Sequence, residues 1–193
     1  MYVCFATNNE NKLIEIRRLL GDRFRVSGLA DMGISEDIPE TGATLEENSR
    51  IKAEYIFSKF HMAVFSDDSG LEVEALDGRP GVYSARFSGP EKDDQKNIDY
   101  LLELMDGISN RTARFRTVVT FIDESGETFM FEGIVRGRIT SQPSGASGFG
   151  YDPVFIPEGH RRTFAEMSLT EKNKISHRAR AVEKLIKHLK PSA

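Results

Sequence analysis

The sequence holds one cysteine, Cys4. That excludes an internal disulfide and suits a reducing, cytoplasmic setting, with Cys4 expected as a buried structural thiol. No apolar run approaches the ~20 residues that a bilayer-crossing helix requires. The opening Met1-Tyr2-Val3-Cys4-Phe5-Ala6 lacks the basic region of a signal peptide and reads as a strand. Positive charge is not in excess: 26 Lys and Arg stand against 30 Asp and Glu, a formal net charge of −4. This argues against nucleic acid held through bulk charge, but not against a small phosphate-bearing ligand, for which a few local cations suffice. There is no GxxxxGK[ST] loop, and the four histidines show neither HExxH nor another zinc spacing, so a Walker-type nucleotidase and a zinc hydrolase are both set aside. Internal repeats and low-complexity tracts are absent too. What is present is a 193-residue chain with 39% hydrophobic and 29% charged residues, suited to one soluble domain or two tightly joined lobes.

The pattern alternates helices and strands. Tyr2 to Ala6 reads as a buried strand, and Thr7-Asn8-Asn9 as a turn or cap. Leu13, Ile16, Leu19 and Leu20 recur at helical spacing until Gly21. Thr44 and Glu47 fit a capping box, opening a helix expected to turn Ile51, Ile56 and Phe60 inward. Met62 to Phe65 reads as a strand ending at a polar turn, Ser66-Asp67-Asp68-Ser69-Gly70, and Leu71 to Ala75 as a half-buried strand. A helix is predicted over 93–105. A long hairpin follows over 112–140, closed by Glu124-Ser125-Gly126-Glu127, with Phe129 and Phe131 on its second strand. A terminal helix carries Ile175, Ala179, Val182, Leu185, Ile186 and Leu189 inward. The expected fold is α/β with a mixed sheet, a single 1–193 domain whose second lobe is built around the hairpin.

Four constellations carry chemistry. Thr7-Asn8-Asn9-Glu10-Asn11-Lys12 lies between a strand and a helix start, where unpaired N–H groups, polar side chains and a lysine suit a phosphate; the same residues also make an Asn-rich cap beside a solvated lysine. Asp67-Asp68-Ser69-Gly70, joined by Glu40, offers hard oxygens to a magnesium ion, which takes one or two carboxylates and completes its shell with water and phosphate; read alone it is also simply a turn. Neighbouring strand residues face opposite ways, so at most one of the aspartates meets the metal. Gly148-Phe149-Gly150-Tyr151-Asp152-Pro153 allows close backbone approach, with Phe149 or Tyr151 available to stack on a flat base and Asp152 to accept hydrogen bonds, or it is a tight loop with two core aromatics. Lys172 with Ser176-His177-Arg178 suits a phosphate or a carbonyl oxygen, or a solvated helix end. Lys52, one helical turn after Asn48, faces a phosphate or water.

Taken in order, these stretches resemble one family. Thr7-Asn8 with Lys12, Glu40-Thr41-Gly42, Glu47-Asn48 with Lys52-Ala53, Asp67-Asp68-Ser69-Gly70, Gly81-Val82-Tyr83-Ser84-Ala85-Arg86, Gly148 to Pro153 and Ser176-His177-Arg178 match the inosine/xanthosine triphosphate pyrophosphatases from residue 3 to about residue 186. The resemblance implies a homodimer of elongated, two-lobed α/β subunits with a central active-site cleft. It implies magnesium-dependent cleavage of ITP, dITP and XTP-type nucleotides to the monophosphate and pyrophosphate, which keeps those bases out of DNA and RNA. It assigns Asp68 as catalytic carboxylate and metal ligand and Glu40 as a further metal ligand. Substrate contacts are assigned to Thr7, Asn8, Asn9, Glu10, Asn11, Lys12, Lys52, Ser69, Phe149, Gly150, Tyr151, Asp152, Lys172, His177 and Arg178. Lys12, Lys52 and Lys172 are expected to hold the triphosphate while a water oriented by Asp68 attacks the α-phosphorus. Ala179 replaces the glycine that follows His-Arg in many relatives, the smallest change possible there.

Base choice has a physical form at this level. A 6-oxo purine presents an acceptor to donors such as His177, Arg178 or loop N–H groups; adenine presents a 6-amino donor and strands them, at a cost of about 1–3 kcal/mol. No residue in the sequence indicates how guanine is rejected. Two other readings stay open: a related pyrophosphatase acting on modified pyrimidine nucleotides, and a nucleotide-binding regulator without turnover. Clustered Glu40, Asp67 and Asp68 speak against the regulator, because a pure anion binder gains nothing from them without a metal.

Overall fold

The computed structural model describes residues 2–21, 24–34, 36 and 38–189. Strand β1 (Tyr2–Phe5) leads into helix α1 (Glu10–Leu20), then β2 (Arg25–Ser27), α2 (Leu45–Phe60) and β3 (Val64–Val73). Helix α3 (Asp94–Leu104), the long strands β4 (Thr112–Ile122) and β5 (Thr128–Ile139), β6 (Phe155–Pro157), the short α4 (Leu169–Lys172) and α5 (His177–Leu189) complete the described chain. One mixed sheet runs in the order β2-β1-β3-β4-β5-β6. β1 is parallel to β2 and to β3, with Val3 opposite Val26 and Phe5 opposite Phe65, whereas β5 and β6 are antiparallel. Parallel neighbours need a crossover, and α1 and α2 supply it.

The chain forms two compact units. The first contains Met1–Asp68, Thr117–Gly133 and Arg178–Ala193; the second contains Ser69–Arg116 and Ile134–His177. Alternation along β1 sorts the first unit's core. Val3 and Phe5 pack with Leu13, Ile16, Phe65, Phe121, Val182 and Leu185, while Cys4 and Ala6 pack with Leu29, Ala53, Ile56 and Val64. Phe5 and Phe65 stack with ring centroids 4.7 Å apart. Burial pushes the Cys4 thiol up to about 12, with Asp31 adding to it, as an inert structural thiol requires. The second unit closes on Leu71, Ile98, Leu101, Met105, Phe115, Val135, Phe155 and Phe164.

Local signals place the helix starts. Asn9, Thr44 and Asp93 cap α1, α2 and α3, and the Thr44–Glu47 capping box is complete. Three expectations change. Phe60 is exposed, and the buried stripe of α2 is instead Leu45, Asn48, Ser49, Lys52, Ala53 and Ile56; three of these are polar, so apolar periodicity alone misses the stripe. The 112–140 hairpin is not the second unit's own: its turn end, 117–133, belongs to the first. Finally, Ser66-Asp67-Asp68-Ser69-Gly70 is not a turn but the middle of β3. A buried polar run survives inside a strand because its groups find partners. Ser49 Oγ reaches the Ser66 carbonyl, and the two aspartates are met by cations and an amide described below. Gly70 is required by close approach, since a Cβ there would lie 2.4 Å from the Gly81 carbonyl oxygen.

Candidate active site

The 7–12 stretch caps α1. Thr7 Oγ1 accepts from the Asn9 N–H at 3.1 Å, and Asn9 Oδ1 accepts from the Lys12 N–H at 3.0 Å, so the Asn9 carboxamide is spent on capping α1. Asn8 Nδ2 donates to the Glu36 carbonyl at 3.2 Å. Asn8, Glu10 and Asn11 stay exposed at the helix start. Lys12 is not a solvated lysine: its Nζ lies 2.9 Å from Asp67 Oδ1. Burial lowers its pKa despite the pull of Asp67.

The two aspartates of β3 face different partners, as alternation demands. Asp67, 1% exposed, accepts from Lys12 on one oxygen and from Arg178 Nε at 3.1 Å on the other. Burial would raise its carboxyl, but Lys12, Arg178 and Lys52 together hold it well below the ordinary range. Arg178 is also 1% exposed, and its Nη1 is paired with Glu15 on α1. Burial opposes its charge, yet Glu15 and Asp67 outweigh it and raise the guanidinium pKa. Arg178, expected among the base contacts, therefore spends donors on a buried Glu15–Arg178–Asp67–Lys12 chain.

Asp68 belongs to a second group. Its Oδ2 accepts from Asn48 Nδ2 at 3.2 Å, and its Oδ1 lies 3.8 Å from Lys52 Nζ. Lys52 Nζ is 2.5 Å from Glu40 Oε1. Burial raises the Asp68 carboxyl; Lys52 and Lys12 oppose that, while Glu40 and Asp67 reinforce it. Lys52 is raised in turn, since Asp68 and Glu40 overcome its burial. An ammonium thus already stands between two hard carboxylates. The donor set fits magnesium, which needs only one or two protein carboxylates. Among the described residues no cluster of three or more Asp, Glu, His or Cys forms an all-protein cage.

The second unit gathers the remaining expected residues. Lys172 Nζ is 2.5 Å from Asp152 Oδ2 and 4.9 Å from the centre of the Phe149 ring, and Asp152 also accepts from the Phe149 N–H at 3.1 Å. Lys172 was expected with the triphosphate lysines, and its neighbours within the second unit are Asp152 and Phe149. Phe149 is half-buried, whereas Tyr151 is 4% exposed and donates its hydroxyl to the Ser84 carbonyl at 2.9 Å. Of the two aromatics weighed for stacking, Tyr151 is a core residue and Phe149 is the less buried. The Gly150 N–H donates to Asp94 Oδ2 at 2.7 Å. His177 is buried, its ring stacked on Phe115 with centroids 4.6 Å apart. Ser69 is half-buried at the unit's first position.

A profile of the Ham1 family matches residues 3–188. This chain belongs to the Ham1 family. It is 50% identical over 182 residues to the dITP/XTP pyrophosphatase of Porphyromonas gingivalis, covering 94% of this chain and 93% of that one. It is 45% identical over 190 residues to the dITP/XTP pyrophosphatase of Flavobacterium psychrophilum, covering 98% and 100%. The fold of this Ham1 chain superimposes on the Staphylococcus aureus Ham1 protein with a TM-score of 0.88 at 37% identity, over 98% of each chain.

Two residues of this candidate site escaped assignment from sequence. Glu15 interrupts the buried stripe Leu13, Ile16, Leu20 of α1; a carboxylate on an apolar stripe signals a buried cation. Asn48 stands in the Glu47-Asn48 motif one turn before Lys52 and was given no role from sequence; its burial, seen only in the structure, is what reveals one.

Proposed function

We infer that this chain hydrolyses non-standard purine nucleoside triphosphates of the dITP and XTP type to the monophosphate and pyrophosphate. The observation that carries the reading is the Glu40–Lys52–Asp68 group, with Lys12 and Asp67 beside it in the same unit. Lys12 and Lys52 form a cationic bed for the polyphosphate, and both exchange carboxylate partners for phosphate oxygens at little electrostatic loss. Glu40 and Asp68 would hold magnesium, which when bound neutralises phosphate charge and polarises the phosphoryl group. Asp68, its basicity raised by burial, orients a water for attack on the α-phosphorus and accepts its proton. Asn48 keeps one Asp68 oxygen fixed meanwhile. Positioning and electrostatics supply most of the acceleration.

Taken by itself, the Phe149–Asp152–Lys172 cluster of the second unit has the chemistry to recognise a purine base. Phe149 offers a flat apolar face, and the Lys172 ammonium beside it donates to a 6-oxo group. Adenine meets that donor with its own amino group and leaves a pair unmade, at a cost of about 1–3 kcal/mol. A homodimer and a cytoplasmic setting extend the same reading and rest on the family resemblance. Among the described residues no helix is long and apolar enough to cross a membrane. Initial rates with ITP, XTP, dUTP and GTP, followed by pyrophosphate detection with magnesium, test the substrate class. ITP and XTP ahead of the others supports it; dUTP in front moves the chain to a pyrimidine house-cleaning role.

A further inference from the structure

The loop that carries Glu40 is fastened to the start of α2 by the side chains of Thr44, Glu47 and Asn48. Glu47 Oε2 accepts from the Ala43 N–H at 2.6 Å and from the Thr44 N–H at 3.2 Å, and Thr44 Oγ1 accepts from the Glu47 N–H at 3.1 Å. The N–H before these, that of Gly42, donates to Asn48 Oδ1 at 2.8 Å. The other end of the same carboxamide donates to Asp68 Oδ2 at 3.2 Å. Asn48 is wholly buried. Its one side chain joins the backbone two residues after Glu40 to the carboxylate of Asp68. Gly42 is what lets the loop come so close: a Cβ there would lie 2.6 Å from Glu47 Cβ and 2.9 Å from Asn48 Oδ1.

A capping box alone would fix the start of α2 without Asn48. The Asn48 amide does something the cap does not. It binds one Asp68 oxygen and so sets the angle at which the other, Oδ1, faces Lys52. At the same time it fixes the loop from which Glu40 reaches the same ammonium. A carboxamide suits this task because it presents a donor and an acceptor in a rigid plane, uncharged, so it orients a carboxylate without competing for a cation.

We propose that Asn48 is a positioning residue that couples Glu40 and Asp68, setting their separation for the metal-assisted step through a Gly42–Asn48–Asp68 bridge. This rests on the functional reading above. The test compares the wild type with Asn48→Leu, Asn48→Asp, Gly42→Ala and the control Asp68→Asn. In metal-free protein, amide hydrogen exchange at position 42 should accelerate in Asn48→Leu and stay slow in Asn48→Asp, which keeps the acceptor. Titration calorimetry with magnesium alone should give an affinity about 10–100-fold weaker for Asn48→Leu, the usual scale for lost outer-shell support. With ITP and magnesium, kcat should fall about 10–100-fold in Asn48→Leu, Asn48→Asp and Gly42→Ala, while KM stays within about threefold. Should Asn48→Leu fail to fold, Asn48→Asp and Gly42→Ala carry the kinetic test. Unchanged kcat in Asn48→Asp or Gly42→Ala, with Asp68→Asn inactive, overturns the proposal and leaves the functional reading standing. An active Asp68→Asn overturns the functional reading instead.

Discussion

Arg178→Met removes the middle of a buried charge chain. In the wild type its guanidinium joins Glu15 and Asp67, whose side chains are 4% and 0% exposed. Methionine fills similar volume, so the main effect is electrostatic. Asp67 keeps Lys12, but Glu15 loses its guanidinium partner in a dry setting. Breaking a buried pair from one side costs about 3–5 kcal/mol. For a chain of this length each kcal/mol moves Tm by roughly 2–4 °C, so a fall of about 6–20 °C is expected near neutral pH in metal-free buffer. The pH dependence fixes the cause. Asp67 has a depressed folded pKa, so its stabilisation is whole above the ordinary carboxylate value near 4 and is lost as pH falls through the depressed one. In the variant the stranded Glu15 carboxyl shifts the other way and becomes tolerable once protonated. The Tm gap between the two proteins should therefore narrow as pH falls: first above about pH 4, where the variant's Glu15 takes up its proton, and further below it, where the wild type loses the Asp67 contribution. Calorimetric melts from pH 7.5 to 3 measure this. A variant that melts with the wild type at pH 7.5, while losing discrimination between ITP and ATP, would show Arg178 to be a base contact and refute the buried-chain account.

Lys172→Met should narrow the ITP-over-ATP preference in kcat/KM by about 5–150-fold, the equivalent of one lost donor, with pyrophosphate still the product; an unchanged ratio removes Lys172 from base reading. Tyr151→Phe should lower folding stability by about 0.5–1.5 kcal/mol through loss of the hydrogen bond to the Ser84 carbonyl, read as a lower Tm, and leave KM for ITP near the wild-type value; a large KM rise with no loss of stability would make Tyr151 a substrate contact. Glu40→Gln should raise the magnesium concentration needed for half-maximal rate by about 10-fold or more, and a chelator should abolish pyrophosphate release; turnover that ignores magnesium contradicts the ligand assignment. Hydrolysis of ITP in 18O-labelled water should place the label in the monophosphate and none in pyrophosphate.

The fold class was readable because helix starts are written locally. Asn9, Thr44 with Glu47, and Asp93 each cap the helix they precede. The order of short motifs indicated the family, and each aspartate's separate orientation followed from strand alternation alone. What was not readable depends on partners far away in sequence. A polar run such as Ser66–Ser69 looks like a turn until Lys12, Arg178 and Asn48 are seen to satisfy it within β3. The inward face of α2 was misjudged at Phe60 because buried polar groups replace the apolar stripe there. Tyr151 and Phe149 have equal claims as stacking rings in sequence, and only the reach of the Tyr151 hydroxyl to Ser84 separates them. Lys172 and Arg178, both cations near one helix start, divide between Asp152 and a buried acidic pair for the same reason.

The most direct test is pyrophosphate release from ITP by wild type and Asp68→Asn, side by side with magnesium and with melts to establish folding. Asp68→Asn should stay folded with a kcat lower by about 10²–10⁴ or more, the range for loss of a general base. Near-normal release by Asp68→Asn would contradict that role.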